Sequence, residues 1–430
     1  MGWHGFANAD AASKRAHPEG TFDEAAVPVR LWRRKLYGDA VMNEAAVHTS
    51  SDVSVRIDRA IDRAIEAKQI VGTVVLVARN GTIVYRRAAG LADREAGRPT
   101  AEDTIFRFAS FSKPLTSAAA LALIERGKMH LDDPVTRFLP EFQPRLADGQ
   151  KPPILIRHLL THTSGLGYAS FQPPDGPYAK ARVSDGLDQP GLTMEENIRR
   201  LASVPLNFEP GTAWMYGMST DVLGWAVARA HGGTLGDAVA QYVTGPLGMK
   251  DTGFRVTDRS RLSVAYADGE PEPVRMKDID QVVPLPDRGG QLIFSPARNL
   301  DDSSYHSGGA GMVGTAPDFI RFLEALRTGG GEILRPETVM MASQNQIGDL
   351  PRTGPRDAGW RWGLLSAILA DPGAAASPQS VGTLQWGGVY GNQWFVDCAK
   401  GLSVVVFTNT AVFGGFVFPL AVRDAIYAVA

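Results

Sequence analysis

Ser110 and Lys113 stand three residues apart in Ser110-Phe111-Ser112-Lys113, at the head of an apolar run from Pro114 to Ile124. On a helix that spacing stacks both side chains on one face. It brings a hydroxyl and an amine into proton-transfer reach at a helix N-terminus, where the backbone dipole favours negative charge. A serine hydroxyl becomes a useful nucleophile when a neighbouring base takes its proton, and a partly desolvated lysine can do that. Pro114 disfavours helical geometry at Lys113, a local conflict of the kind expected where chemistry chooses the residue. The same spelling also fits a capping serine followed by an exposed lysine, so the pair needs support from elsewhere in the chain.

Two further segments offer it. Tyr216 lies in Trp214-Met215-Tyr216-Gly217-Met218, just after Pro210-Gly211-Thr212 and just before a helical pattern from Ser219 to His231. A phenol delivered by a tight turn before a helix can point into a neighbouring site and relay a proton. It also fits a core tyrosine with a hydrogen-bonded hydroxyl. Trp386-Gly387-Gly388-Val389-Tyr390-Gly391 reads as a strand with paired glycines, which admit a close approach of backbone or substrate, or mark a β-bulge. A strand edge beside a nucleophile can lend one backbone N–H to an oxyanion hole, the other coming from the nucleophile itself. A third segment, Leu159 to Leu166, reads as a helix end followed by a turn.

Other hydrolytic chemistries fit less well. A Ser-His-Asp hydrolase of the nucleophile-elbow type needs G-x-S-x-G, and no serine here has glycine at both required positions. His158 and His162 are four apart, as in zinc-binding H-E-x-x-H, but Leu-Leu-Thr intervenes, with no glutamate and no third ligand. No metal and no cofactor is expected, and His162 and His231 read as structural.

The elements that must position these residues are legible from periodicity. Val53, Ile57, Ile61 and Ile65 keep helical spacing. Gly72 to Ala78 and Thr82 to Gly90 flank Asn80-Gly81, a strong hairpin signal. From about Met129 to Leu300 the chain is rich in Pro and Gly, with short helical patterns at Ile154–Thr161, Met194–Ala202, Ser219–His231 and Leu235–Val243. Tyr178–Leu192 and Asp268–Asp302 read as long connections. Strands return at Trp360–Leu365, Thr383–Trp386, Gln393–Asp397 and Leu402–Thr408, and a helix at Leu420–Val429. The expected organisation is an N-terminal tail (1–50), an α/β sheet domain built from 51–128 and 305–430, and a helical, loop-rich insertion (129–304). In the tail, Arg30 to Tyr37 could be a short basic amphipathic helix or a solvated segment.

The chain of 430 residues has 44% hydrophobic and 21% charged residues and a formal net charge of −2, the balance of a soluble globular protein. No basic face suggests a nucleic-acid partner, and no apolar stretch has the length of a membrane span. A single cysteine, Cys398, excludes an intrachain disulfide. The expected location is cytoplasmic and the expected partner a small molecule, with no oligomeric state encoded in any pattern.

Taken in order, Ser110-Phe111-Ser112-Lys113, the run from Leu159 to Leu166, Tyr216 with Ser-Thr-Asp-Val-Leu-Gly behind it, Gly308 to Met312, and Trp386-Gly387-Gly388 resemble the serine β-lactamase and penicillin-binding-protein-like superfamily. The branch is that of class C β-lactamases and family VIII carboxylesterases, and the resemblance covers about residue 53 to the end. It implies a mixed α/β (α+β) fold, an antiparallel sheet flanked by helices with a helical insertion. It further implies Ser110 as nucleophile, Lys113 as its hydrogen-bonded partner, Tyr216 as general base, and the backbone N–H groups of Ser110 and Val389 as oxyanion donors. Trp386, Gly387 and Gly388 would line the substrate site. Two departures bear on the substrate. The family's Tyr-x-Asn ends here in Met218, and its Lys-Thr-Gly is here Trp386-Gly387-Gly388. A tryptophan supplies an apolar wall and no charge for a carboxylate. The expected activity is therefore a serine carboxylesterase acting on short to medium acyl esters, with weak or no β-lactamase activity. The alternatives are an acyltransferase or amidase of the same fold, or a class C-type β-lactamase.

Overall fold

The computed structural model describes residues 50–285, 289–352, 357–411 and 413–428. The tail, apart from Ser50, and its basic segment lie outside the described residues.

Strands from both ends of the chain make one eight-stranded sheet. In chain order these are β1 (Gly72–Arg79), β2 (Thr82–Asp93), β3 (Arg98–Pro99), β4 (Trp360–Trp362), β5 (Ala367–Leu369), β6 (Leu384–Gly388), β7 (Asn392–Asp397) and β8 (Leu402–Thr408). Their spatial order is β4-β5-β6-β7-β8-β1-β2-β3, antiparallel at every pair. β1 pairs β8 in unbroken register from Thr73↔Thr408 to Arg79↔Leu402, so the two halves of the chain meet at the sheet centre.

Helices cover both faces, which is why β1 and β8 are near-continuous apolar runs rather than alternating. Val75, Val77, Val404 and Val406 pack with Ile57 and Ile61 of α1 (Ser50–Glu66) and with Phe418 and Val422 of the terminal helix, Phe413–Tyr427. Val74, Leu76, Val405 and Phe407 face the other way, into a larger core. That core holds α2 (Ser112–Glu125), α3 (Ser219–His231) and α4 (Ala316–Arg327). The alternation follows from the two-residue period of a strand. α2 is buried at every residue from Ser112 to Leu123 and runs through the middle of this core.

The structure differs from the sequence reading at several elements. It adds α4 and the helix Pro336–Ala342, and it adds β5. The Asp268–Asp302 connection contains a hairpin, Gln281–Leu285 with Gly290–Phe294. The terminal helix begins at Phe413, not Leu420, and carries Pro419 inside it. Burial of Phe418 and Val422 against the sheet outweighs the local preference of proline for a helix start. Among the described residues no helix is long and apolar enough to cross a membrane.

Candidate active site

Ser110 is delivered by a short 3₁₀ turn, Ala109–Phe111, and Lys113 by the first turn of α2, which begins at Ser112. The sequence reading places both on one helix, with Pro114 opposing helical geometry at Lys113. The helix forms nonetheless, because Pro114 falls in its first turn, where a missing N–H costs no intrahelical bond. Ala109 has φ 45°, a left-handed conformation for a residue with a Cβ. That strain is held by packing and turns Ser110 out of the core.

The polar atoms converge on the serine. Ser110 Oγ accepts from Lys113 Nζ at 3.1 Å and from the Tyr216 hydroxyl at 2.7 Å. Lys113, 2% exposed, also donates to the Gly309 carbonyl at 2.8 Å and sits 4.7 Å from the centroid of the Tyr216 ring. Trp386 Nε1 donates to the Tyr216 hydroxyl at 3.1 Å. Reading Trp386 as an apolar wall misses this polar end of the indole. Tyr168, not singled out in the sequence, packs edge-on against Tyr216 at 5.4 Å and lies 5.5 Å from Lys113 Nζ.

Each of these side chains is anchored from a distant segment. The Leu159–Leu166 run and its extension bind the Tyr216 loop through Gly211 N–H to Thr163 O (2.7 Å), Met215 N–H to His162 O (2.9 Å) and Met218 N–H to Gly167 O (3.1 Å). His162 itself, φ 57° and buried, packs 4.8 Å behind the Tyr216 ring, and burial pushes its imidazole well below the usual histidine range. His158 Nδ1 accepts the Leu155 N–H at 3.2 Å and so caps its own helix; His231 meets the Tyr242 hydroxyl at 3.4 Å. The Gly308–Met312 segment runs along the start of α2. Thr116 Oγ1 donates to Gly308 O at 2.9 Å, and the Met312 N–H donates to Ser112 Oγ at 3.0 Å. A Cβ on Gly309 would stand 2.3 Å from Asp221 Oδ2, so only glycine lets the carbonyl that holds Lys113 sit there. Asp221, fully buried at the start of α3, accepts from Ser307 Oγ; burial raises its carboxyl, and Ser307 and Lys113 pull it down.

β6 closes the site. Its pairing with β7 runs without a register shift from Leu384↔Val396 to Gly388↔Asn392, so the glycines make no bulge. Gly388 serves close approach instead, since a Cβ there would meet the Phe108 carbonyl oxygen at 2.3 Å. Val389 follows in a half-buried turn and packs on the apolar cluster that includes Ala109. Among the described residues its N–H donates to no backbone carbonyl outside the ladders.

A β-lactamase family model matches residues 57–428. Esterase EstB of Burkholderia gladioli is 51% identical over 383 residues, covering 88% of this chain and 96% of its own. The monacolin J acid methylbutanoyltransferase of Aspergillus terreus is 27% identical over 405 residues, covering 83% and 91%. Among solved structures, EstCE1, described as a hydrolase with promiscuous acyltransferase activity, superposes with TM-score 0.83 at 42% identity, covering 88% of this chain and 99% of that one.

Proposed function

The chain belongs to the β-lactamase family, and from that premise we propose that it is a serine carboxylesterase working through an acyl-enzyme on Ser110. The observation that carries this reading is the shared position of Ser110 Oγ, in hydrogen-bond contact with both Lys113 Nζ and the Tyr216 hydroxyl. An oxygen–oxygen distance of 2.7 Å suits proton transfer whichever oxygen holds the hydrogen. Ser110 Oγ attacks the ester carbonyl carbon while Tyr216, acting as the phenolate beside Lys113, takes its proton. The carbonyl oxygen becomes an oxyanion held by the N–H groups of Ser110 and Val389. The carbon–oxygen bond to the alcohol breaks, and Tyr216 returns the proton to the departing alkoxide. Water then attacks the acyl carbon as Tyr216 takes its proton; the bond to Ser110 Oγ breaks, Tyr216 returns that proton to Oγ, and the carboxylic acid leaves.

In this reading residues 51–128 with 305–430 carry Ser110, Lys113 and Trp386, and the 129–304 insertion brings Tyr216 across the cleft. An alcohol that enters in place of water would receive the acyl group. The description of EstCE1 as a hydrolase with promiscuous acyltransferase activity favours that as a side activity. Trp386, with Gly387 and Gly388, lines the substrate site and presents an indole rather than a charge, so the preferred substrate is a neutral ester of short to medium acyl chain. A single, buried cysteine suits a reducing compartment, and the reading places the enzyme in the cytoplasm.

The test compares kcat/KM for p-nitrophenyl butyrate and a cephalosporin on one preparation. The ester should be preferred, with the lactam opened slowly. A lactam preference above tenfold, about 1.4 kcal/mol of transition-state stabilisation, would refute the esterase assignment.

A further inference from the structure

Behind the aromatic wall of the site lies a cation that the mechanism above does not use. Arg352 has a side chain only 4% exposed. Its guanidinium carbon lies 4.9 Å from the ring centroid of Trp214, 5.5 Å from Trp362 and 5.6 Å from Trp386. Asp357 accepts from Nη2, while Nε and Nη1 are buried and, among the described residues, have no hydrogen-bond partner. Burying a guanidinium is costly, and replacing a buried charge by an apolar side chain of similar volume is often neutral or stabilising. The same three indoles are in ring contact with Tyr216, at 6.4, 6.3 and 5.0 Å for Trp214, Trp362 and Trp386. The aromatic cluster is thus sandwiched between Arg352 and the phenol facing Ser110.

We infer that Arg352 is a positioning residue for the esterase reaction. It holds the Trp386 indole where its N–H donates to the Tyr216 oxygen, and its field stabilises the phenolate form of Tyr216 that takes the Ser110 proton. The inference rests on Tyr216 as the base. Three low-polarity rings separate the two groups, so their interaction is weakly screened. A guanidinium against an indole face is favourable and draws electron density from the ring, which strengthens the N–H as a donor. Burial pushes the guanidinium down to about 10, so it keeps its charge at neutral pH.

The other polar groups facing Tyr216 are Ser110, Lys113 Nζ, the Tyr168 ring and His162. Asp221 lies deeper, within electrostatic reach of Lys113 and Tyr168. On the far side, Asp357 opposes the field of Arg352, and Arg361 adds to the positive charge there. Removing Arg352 takes away positive potential and so makes Tyr216 harder to deprotonate; removing Asp357 does the reverse.

The experiment measures kcat and KM for p-nitrophenyl butyrate across pH in the wild type, Arg352→Met, Arg352→Lys and Asp357→Asn. Arg352→Met should lower kcat on the order of tenfold with KM within about twofold, and should move the acid limb of kcat/KM to higher pH. Arg352→Lys should restore part of both, and Asp357→Asn should move the limb to lower pH. In a Tyr216→Phe background, Arg352→Met should leave the limb where it is. A limb that stays fixed in Arg352→Met and Asp357→Asn while activity falls with melting temperature would overturn the inference. So would a KM increase confined to carboxylate-bearing esters, which would make Arg352 a substrate contact. Full activity in Tyr216→Phe would strike the proposed function itself, an outcome distinct from any in the Arg352 series.

Discussion

Ser110 Oγ is the acceptor of two hydrogen bonds that differ in what they do. The one from Tyr216 is the shorter, 2.7 Å against 3.1 Å from Lys113, and its donor is further gripped by Trp386 Nε1. Lys113 is held in turn by the Gly309 carbonyl. Tyr216→Phe removes the group that carries the proton, and should lower kcat by about 10² to 10⁴ with little change in KM. Lys113→Ala should cost a similar factor, and should also lower the melting temperature, because it leaves the Gly309 carbonyl without its donor and the buried Asp221 without the favourable charge of Lys113. Steady-state kinetics alongside thermal unfolding separates the two. At this scale the sequence is readable where chemistry is local. Ser110 and Lys113 declare each other by their spacing, and Tyr216 by its turn before a helix. Tyr168, Asp221 and Arg352 give no such signal, because each reaches the site through contacts that join segments far apart in the chain.

The elements act as a frame that brings a strand end against a helix start. Gly388 closes β6 directly over the Phe108 carbonyl, and the strained turn at Ala109, which shares an apolar cluster with Val389, presents Ser110. A methyl group at position 388 must push backbone from backbone. Gly388→Ala should therefore cost about 1–3 kcal/mol of stability, and should lower kcat by more than tenfold, since both proposed oxyanion donors lie on the displaced segments. Full activity with unchanged stability would mean that the strand is free to give way there. The hairpin at Asn80-Gly81, the central strand at Leu402–Thr408 and the helices Met194–Ala202 and Ser219–His231 are legible because turn chemistry and apolar period agree with the tertiary structure. α4 escapes the sequence reading although its start is well marked, with Thr315 as the capping residue and Pro317 in the first turn. The terminal helix is cut short at Pro419 in that reading for the opposite reason, that burial overrules a local breaker.

At the scale of the whole molecule, the sheet centre is made where β1 meets β8, so the chain must be complete from one end of the fold to the other before the core closes. The site inherits that closure: Ser110, Lys113 and Trp386 come from segments packed on the sheet, and Tyr216 from the loop tied to Thr163 and Gly167. The overall architecture is visible in the sequence as strands at both ends around a helical middle. The order of the strands is not, since pairing partners are chosen by packing across the sheet rather than by any local pattern. The chemistry that this frame supports turns on a covalent acyl group passing through Ser110. The most direct measurement is intact-mass analysis of the enzyme treated with a slow ester or a phosphonate, followed by peptide mapping, in the wild type and in Ser110→Ala. A single adduct is predicted on the peptide containing Ser110, absent from Ser110→Ala, which should also have lost ester hydrolysis. An adduct on another serine, or an active Ser110→Ala, would contradict it.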